Sequence, residues 1–216
     1  MELTNEPGPG PAAHDLVVIG ASAGGVDVLR RVVSSLPADL PAAVCVVLHI
    51  SADSPSALAG ILARAGPLPC RAAADGDALR SWEIVVAPPD RHLTIGDGVV
   101  QVSDGPRENG HRPSVDVLFR SAATARGRRV AGVVLSGNQD DGAAGLAVIK
   151  EHGGAAIVQN PEDAVHPAMP RNAIARVRVD AIAPSALIGE TIATVVRGEA
   201  LPRGARPGAE PARASR

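Results

Sequence analysis

A serine, a histidine and a pair of aspartates each lie at or just after the end of an apolar run. Ser22 lies in the small-residue stretch GASAGG after the first run, and His49 ends the run AAVCVVLH. Asp140 and Asp141 follow a third apolar run. If these runs are parallel strands of one sheet, the polar side chains gather at its carboxyl edge. A hydroxyl, an imidazole and a carboxylate are the set that nucleophilic catalysis needs, because the histidine takes the hydroxyl proton and the carboxylate orients the histidine.

The turn that holds Ser22 also has the glycine content of a phosphate-binding loop. It lacks the lysine of the GxxxxGK[ST] motif, and Ser22 stands where GxGxxG needs its second glycine. His49 ends the second run, where a dinucleotide site needs an acidic residue for the ribose. The pattern therefore disfavours a phosphate site. It leaves two interpretations open: Ser22 is an exposed nucleophile on a sharp turn, or it caps the following helix.

Apolar runs alternate with helical patterns along the chain. The runs lie at 15–20, 42–49, 82–88, 129–136 and 155–159, and the helical patterns at 26–36, 55–65, 114–126, 142–152 and 184–196. Continuous apolar runs are typical of strands covered on both faces. The pattern therefore predicts an α/β fold, a doubly wound and mostly parallel sheet flanked by helices. Two short alternating runs around GDG predict a β-hairpin near residues 92–103, at the edge of the sheet.

The composition argues against several classes of function. The chain of 216 residues is 45% hydrophobic, but Phe119 and Trp82 are its only aromatic residues, so it lacks stacking platforms for single-stranded nucleic acid. A net charge of -2 gives no overall attraction to nucleic acid or to an anionic membrane. No apolar run approaches the roughly 20 residues of a membrane helix. We therefore expect no nucleic-acid partner and no membrane insertion.

The cysteines and the chain ends indicate the cellular setting and the limits of the folded domain. Cys45 and Cys70 form neither a disulfide scaffold nor a CxxC pair, which favours a reduced, cytoplasmic setting. No His, Cys and Asp group has metal-ligand spacing, so we expect no metal and no cofactor. Residues 1–14 and 197–216 are rich in Pro and Gly and are predicted to be disordered, flanking a single domain at 15–196.

Six blocks of the sequence resemble, in order, the catalytic domain of the CheB methylesterase family, the protein-glutamate methylesterases of bacterial chemotaxis. The blocks are IGASAGG, LHI, APPDRHL, HRPSVDVLF, LSGNQDDGAAGL and QNPEDAVHPAMPRNAI. The similarity covers roughly residues 15–196. Because the blocks are collinear, the resemblance is specific, and it favours the nucleophile interpretation of Ser22 over the helix cap.

The resemblance implies a role for each residue at the predicted edge. It makes Ser22 the nucleophile, His49 the general base and Asp141 the carboxylate that orients His49. Asp141 is preferred to Asp140 because it precedes the aligned GAAG. The resemblance implies backbone contacts to an oxyanion at Asn138 and Ala23, and it puts further candidates for the substrate side at His92, His111, Arg112 and Met169.

The resemblance also implies an activity and partners. It implies hydrolysis of glutamate γ-methyl esters, and deamidation of glutamine, on a methylated chemoreceptor-like protein segment. Typical members carry an N-terminal receiver domain, whereas about 14 residues precede the first apolar run here. We therefore expect a stand-alone catalytic domain, regulated if at all by a protein acting in trans. The alternative is a non-catalytic or divergent regulatory binding module of the same fold that acts on a non-chemotaxis partner.

Overall fold

The computed structural model describes residues 13–50 and 57–208, which contain a seven-stranded sheet at their centre. Its strands are β1 (Leu16–Ala21), β2 (Ala43–Leu48), β3 (Cys70–Ala72), β4 (Ile84–Val86), β7 (Val130–Val134), β8 (Ala155–Gln159) and β9 (Ala181–Ala183). The strand order is β3-β4-β2-β1-β7-β8-β9, and every neighbouring pair is parallel. The predicted doubly wound, mostly parallel sheet is confirmed.

Helices cover both faces of this sheet. They are α1 (Gly25–Ser35), α2 (Leu58–Ala63), α3 (Val115–Arg126), α4 (Ala143–Glu151), α5 (Ala168–Arg176) and α6 (Ile188–Arg197). Helices α1, α2 and α6 pack on one face and α3, α4 and α5 on the other. Side chains of β1 alternate between the two cores, so that all six of its residues are buried. None of the helices in the described part of the chain is long and apolar enough to cross a membrane.

The predicted hairpin forms, and it bonds to the segment that follows the edge strand β3. Its strands β5 (His92–Ile95) and β6 (Val100–Ser103) pair antiparallel as a separate two-stranded sheet. Leu93 and Ile95 are buried in the same core as α3, and the Ile95 N–H donates to Ser121 Oγ of that helix at 3.1 Å. The hairpin therefore packs on α3, while Val100 exchanges backbone hydrogen bonds of 2.9 and 2.7 Å with Gly76 and Asp77 just after β3.

Three elements were not predicted from the sequence. Strands β3 and β9 are each three residues long, and helix α5 contains Pro170 in its first turn. The predicted helix at 55–65 is observed only as α2, and residues 55 and 56 lie outside the described part of the chain.

The chain ends are more ordered than predicted, as far as they are described. After α6 the chain runs back to β9, where Ile182 and Arg206 exchange two backbone hydrogen bonds of 2.7 and 2.9 Å. The Gly208 N–H donates to Val179 O at 3.1 Å, and the His14 N–H donates to Val196 O at 3.2 Å. The predicted disorder is therefore wrong for residues 13–14 and 197–208, because backbone pairing, together with the packing of Leu201 and Ala205 against the core, orders this Pro- and Gly-rich segment. Residues 1–12 and 209–216 lie outside the described part.

The order of the strands creates one switch point. From β1 the chain passes to β2 on one side, and it later returns to β7 on the other side of β1. The connections after β1 and β7 therefore lead in opposite directions and leave a crevice at the carboxyl edge. Ser22 follows β1, His49 follows β2 and Asp141 follows β7, so the three predicted residues meet at this point of the sheet.

Candidate active site

The turn after β1 presents Ser22 without using its hydroxyl. The Ser22 N–H donates to Ser136 O at 2.9 Å, and the Ser22 carbonyl accepts the Gly25 N–H at 2.8 Å. The N-cap of α1 is Gly24, which has a φ of 72° and makes no side-chain capping bond. Ser22 Oγ has no hydrogen-bond partner among the described residues. The helix-cap interpretation of Ser22 is therefore wrong, and the hydroxyl is free for another partner.

His49 reaches the site from the end of β2. Its backbone N–H donates to Ala21 O at 3.1 Å, which sets the residue beside the turn that holds Ser22. Its ring Nε2 lies 2.7 Å from Asp141 Oδ2, and 8% of the side chain is exposed. The other ring nitrogen, Nδ1, is buried and has no partner among the described residues. Because a carboxylate only accepts, Nε2 carries the hydrogen and Nδ1 keeps its lone pair in the neutral ring.

The carboxylate of Asp141 is fully buried at the N-terminus of α3. Its Oδ2 accepts the Val115 N–H at 2.8 Å, besides the bond from His49. Its Oδ1 accepts the Ser114 hydroxyl and the Asp116 N–H, both at 3.0 Å. Four donors thus saturate the carboxylate where the positive end of the helix dipole lies. Burial alone raises the pKa of Asp141, but the bonds from His49 and from the α3 backbone outweigh it, and the pKa lies below its ordinary value.

The structure distinguishes Asp141 from its neighbour Asp140. Asp140 is exposed, and its backbone carbonyl accepts the Ala143 N–H at 3.0 Å at the start of α4. Only Asp141 turns into the protein and meets His49. The choice that the sequence block suggested therefore agrees with the observed contact.

A second buried carboxylate, Asp116, was missed from the sequence. Its Oδ1 accepts the N–H groups of Gly142 and Gly145 at 3.0 and 2.6 Å, and its Oδ2 accepts Asn109 Nδ2 at 3.3 Å. Burial, together with the negative charge of Asp141, raises the pKa of Asp116 to about 6. An acidic residue in the first turn after a capping serine, SVD, is the sequence signal that could have drawn attention to it.

The two residues expected to supply backbone N–H groups are neighbours in the chain of Ser22 and of Gly137, and a Cβ added to Gly137 would lie 2.7 Å from Ser22 Cβ. Ala23 follows Ser22 directly, and Asn138 is exposed in the loop after β7. Neither N–H donates a hydrogen bond within the described residues. Gly137, which precedes Asn138, is held by two backbone hydrogen bonds. Its N–H donates to His166 O at 2.9 Å, and its carbonyl accepts the Met169 N–H at 3.0 Å. Both N–H groups are thus free to bind an anion.

Of the four residues expected on the substrate side, one contacts the predicted base. The ring of His111 stacks on that of His49, with centroids 3.7 Å apart and planes 6° from parallel. His111 Nε2 also donates to Gln139 Oε1 at 2.8 Å. Gln139, an exposed loop residue, was missed because nothing in its sequence context marks it.

The other three have structural partners instead. His92 is 4% exposed, with Nε2 on Pro106 O at 2.9 Å and Nδ1 accepting the Ser114 N–H at 3.3 Å. Arg112 pairs with Asp90 at 2.8 Å and donates to loop carbonyls. Met169 is buried in α5, not in a loop, and packs beside Gly137. The structure does not support their assignment to the substrate side, because the polar groups of His92 and Arg112 are hydrogen-bonded within the protein and Met169 is buried.

No group of three or more His, Cys, Asp or Glu side chains within residues 13–50 and 57–208 could hold a metal ion. The polar atoms at the switch point are a hydroxyl, an imidazole, two carboxylates and backbone N–H groups.

The fold and this polar cluster define the class: a doubly wound α/β domain with serine, histidine and aspartate at its switch point. The family model for the CheB methylesterase matches residues 17–192 of the chain. The chain therefore belongs to the CheB methylesterase family, and the resemblance seen in the six sequence blocks is confirmed.

Individual relatives agree with this assignment. A protein-glutamate methylesterase/protein-glutamine glutaminase of Anaeromyxobacter dehalogenans is 44% identical over 177 residues, covering 82% of this chain and 52% of that protein. A relative in Leptospira interrogans is 38% identical over 168 residues, covering 77% of this chain and 87% of its own length. The crystal structure of the Thermotoga maritima CheB methylesterase catalytic domain superposes with a TM-score of 0.80 at 30% identity, covering 85% of this chain and 99% of that one. The chain spans about half the length of most of the curated relatives it matches.

Proposed function

We propose that this chain is a serine hydrolase that cleaves glutamate γ-methyl esters on a methylated chemoreceptor-like protein segment. The relatives named protein-glutamate methylesterase/protein-glutamine glutaminase support the reaction class. The same chemistry would deamidate glutamine, because ester and amide hydrolysis pass through the same acyl intermediate. Regulation, where it occurs, would come from a protein acting in trans.

The observation that carries the proposal is the arrangement of the two nitrogens of His49. Nε2 is bound to a buried carboxylate at 2.7 Å, whereas Nδ1 is buried and unpartnered among the described residues. A histidine held only for structure would have both nitrogens satisfied, as His92 has. His49 instead keeps one basic nitrogen free next to the turn of Ser22.

The reaction follows from these positions. Ser22 Oγ attacks the ester carbonyl carbon as its proton passes to His49 Nδ1. The tetrahedral intermediate collapses, the C–OCH₃ bond breaks, and the leaving oxygen takes the proton from His49 to give methanol. Water then attacks the acyl-serine and gives one proton to His49. Collapse of the second intermediate returns that proton to Ser22 and releases the glutamic acid side chain, which loses its remaining proton to solvent.

Asp141 and the two free N–H groups supply the electrostatics. The negative charge of Asp141, kept ionised by its four donors, stabilises the imidazolium that forms on His49 in each step. The N–H groups of Ala23, which follows Ser22, and of Asn138, which follows Gly137, would donate to the oxyanion. Removal of one such donor typically costs about 10²- to 10³-fold in rate.

The test is methanol release from a methylated chemoreceptor fragment by the purified chain, compared with Ser22→Ala. We expect a loss of the order of 10⁶-fold, the cost of removing the nucleophile in a well-studied triad. Ser34→Ala is the matched control, because Ser34 is exposed on α1 and its hydroxyl bonds only to Arg31 O. It should keep full activity.

Two results would overturn the proposal. One is a folded Ser22→Ala variant that keeps more than a few per cent of the activity. The other is a wild-type chain that neither releases methanol nor reacts with a fluorophosphonate probe, which would favour the non-catalytic binding module.

A further inference from the structure

The imidazole of His49 is contacted on one face by a second imidazole. The rings of His49 and His111 lie 3.7 Å apart between centroids and are parallel within 6°. None of the steps proposed above uses His111. Its position against the base, at the end of the segment that leads into α3, is therefore unexplained by that chemistry.

The contacts of His111 fix its ring in turn. Its backbone exchanges two hydrogen bonds with Glu108, of 3.0 and 2.8 Å, and its Nε2 donates to Gln139 Oε1 at 2.8 Å. Gln139 has a φ of 68°, and its carbonyl accepts Asn172 Nδ2 at 2.7 Å from α5. His111 is thus held from both its own loop and the loop after β7.

The charged groups around the stack are already paired. Glu108 forms two bonds of 2.7 and 2.6 Å with Arg120, so its carboxylate is not a partner of the His111 ring. Arg112 is bound to Asp90 at 2.8 Å. The partner of His111 Nε2 is the neutral side-chain amide of Gln139, whose Oε1 accepts the hydrogen bond. The carboxylate nearest the pair, Asp141, binds His49.

We propose that His111 is a positioning residue that holds the ring plane of His49, so that Nε2 meets Asp141 while Nδ1 stays available for the Ser22 proton. One hydrogen bond fixes the Nε2 atom but leaves the ring free to tilt about it. A parallel ring at 3.7 Å restricts that tilt. This inference rests on the proposed function, since it concerns how the base of that reaction is oriented.

The experiment measures the rate constant for fluorophosphonate labelling, which reports activation of Ser22 without a protein substrate. In this step the Oγ–P bond forms, fluoride leaves, and the serine proton passes to His49. We expect His111→Ala to label about tenfold more slowly, a change equal to about 1.4 kcal/mol. His111→Phe keeps a flat ring on His49 and should recover most of the wild-type rate.

Two further variants sharpen the test. Gln139→Asn is compatible with the left-handed backbone but is one methylene too short to reach His111, so labelling should slow by a few fold. His152→Ala removes an exposed histidine at the C-cap of α4, whose ring bonds to Val148 O, and it should label at the wild-type rate. If His111→Ala does not fold, His111→Phe and Gln139→Asn carry the test.

The outcomes separate this inference from the proposed function. Labelling of His111→Ala at the wild-type rate, or of His111→Phe as slowly as a folded His111→Ala, would refute the positioning role. Labelling near the wild-type rate is the expected result for His111→Phe. The same result for Gln139→Asn would contradict the positioning role. A wild-type chain that fails to label at all would instead refute the proposed function, whatever the variants do. A slower methanol release by His111→Ala with an unchanged KM would support the inference, because the defect then lies in the chemical step.

Discussion

Asp116 and Asp141 bind backbone N–H groups at the start of each other's neighbouring helix. Asp141 precedes α4 but accepts the N–H groups of Val115 and Asp116 at the start of α3. Asp116 lies in α3 but accepts those of Gly142 and Gly145 at the start of α4. The exchange satisfies N–H groups that a helix cannot satisfy internally. It also locks the loop that carries Asp141 to α3.

The burial of Asp116 beside the charge of Asp141 predicts a pH-dependent stability that Asp116→Asn removes. The pKa of Asp116 is raised from 3.8 to about 6, first by burial and then by the charge of Asp141. Between those pH values the folded chain binds a proton that the unfolded chain has lost. The resulting stabilisation is complete below pH 3.8 and is lost as the pH rises through 6. Relative to Asp116→Asn, the free energy of unfolding of the wild type should fall by up to about 3 kcal/mol from pH 4 to pH 7.

Urea denaturation of both proteins across this range measures the difference. Asn at position 116 keeps an oxygen that can accept from Gly142 and Gly145, so the variant tests the charge rather than the helix contact. Asp97→Asn, in the exposed turn of the hairpin, controls for the loss of one carboxylate. A difference between wild type and Asp116→Asn that does not change with pH would contradict the raised pKa.

A second prediction compares the two adjacent aspartates. All four partners of Asp141 are donors, so in either orientation the amide nitrogen of Asp141→Asn would face an N–H donor, and the neutral amide would no longer stabilise a charged His49 ring. We expect methanol release to fall by roughly 10⁴-fold, as in a well-studied triad. Asp140→Asn is the matched control and should lose less than twofold, because its side chain is exposed.

Equal losses in the two variants would show that the contact with His49 is not what the reaction uses. Circular dichroism and a melting curve separate unfolding from lost chemistry in Asp141→Asn, since a folded but inactive variant is the expected result.

A third prediction concerns Ser114, the N-cap of α3. Its hydroxyl donates to Asp141 Oδ1 at 3.0 Å and accepts the Val117 N–H at 3.4 Å. Ser114→Ala should lower the free energy of unfolding by about 1 kcal/mol, the usual cost of a lost cap. Activity should fall less than in Asp141→Asn, because three donors still hold the carboxylate. An activity loss as large as that of Asp141→Asn, in a folded protein, would mean that the hydroxyl takes part in the chemistry itself.

The main strands of the sheet could be predicted because each is marked by a local run of apolar residues. Runs such as LVVIG are apolar on both faces, and such strands form only inside a covered sheet. The three-residue strands β3 and β9 are too short to give a pattern. The position of the hairpin and the pairing of Arg206 with Ile182 depend on distant partners, and composition carries no information on backbone pairing.

Some residues of the candidate site could likewise be predicted from the sequence, and others could not. Ser22, His49 and Asp141 follow strands, so topology alone brings them together. Which of His92 and His111 faces His49 depends on how the loops fold over the edge, and both had the same sequence support. The role of Gln139 rests on a left-handed backbone and a contact 28 positions away in the chain, neither of which leaves a sequence pattern.

The last prediction concerns Gly137, which lies against the nucleophile. A Cβ at this position would lie 2.7 Å from Ser22 Cβ, closer than real Cβ atoms approach, and 3.1 Å from Met169 Cγ, which is tighter than most real contacts. Met169 is buried in α5 and Ser22 is fixed by its N–H on Ser136 O, so neither neighbour can move freely. Gly137→Ala should therefore shift the serine turn or the loop that carries the Asn138 N–H. We expect a loss of activity of at least about 10²-fold, the scale of a lost oxyanion donor, with 1–3 kcal/mol of destabilisation from overpacking.

Gly60→Ala is the matched control for this substitution. Gly60 lies in α2, where the nearest atom to an added Cβ is Arg64 Nη1 at 3.5 Å, at the end of a flexible side chain. The change should raise the free energy of unfolding by about 0.5–1 kcal/mol, since alanine is the better helix residue, and should leave methanol release unchanged. Full activity in Gly137→Ala would show that the loop after β7 can move away from Ser22 without cost. The proposed oxyanion contact at Asn138 would then have to be abandoned, because a donor in so mobile a loop could not be held in place for the intermediate.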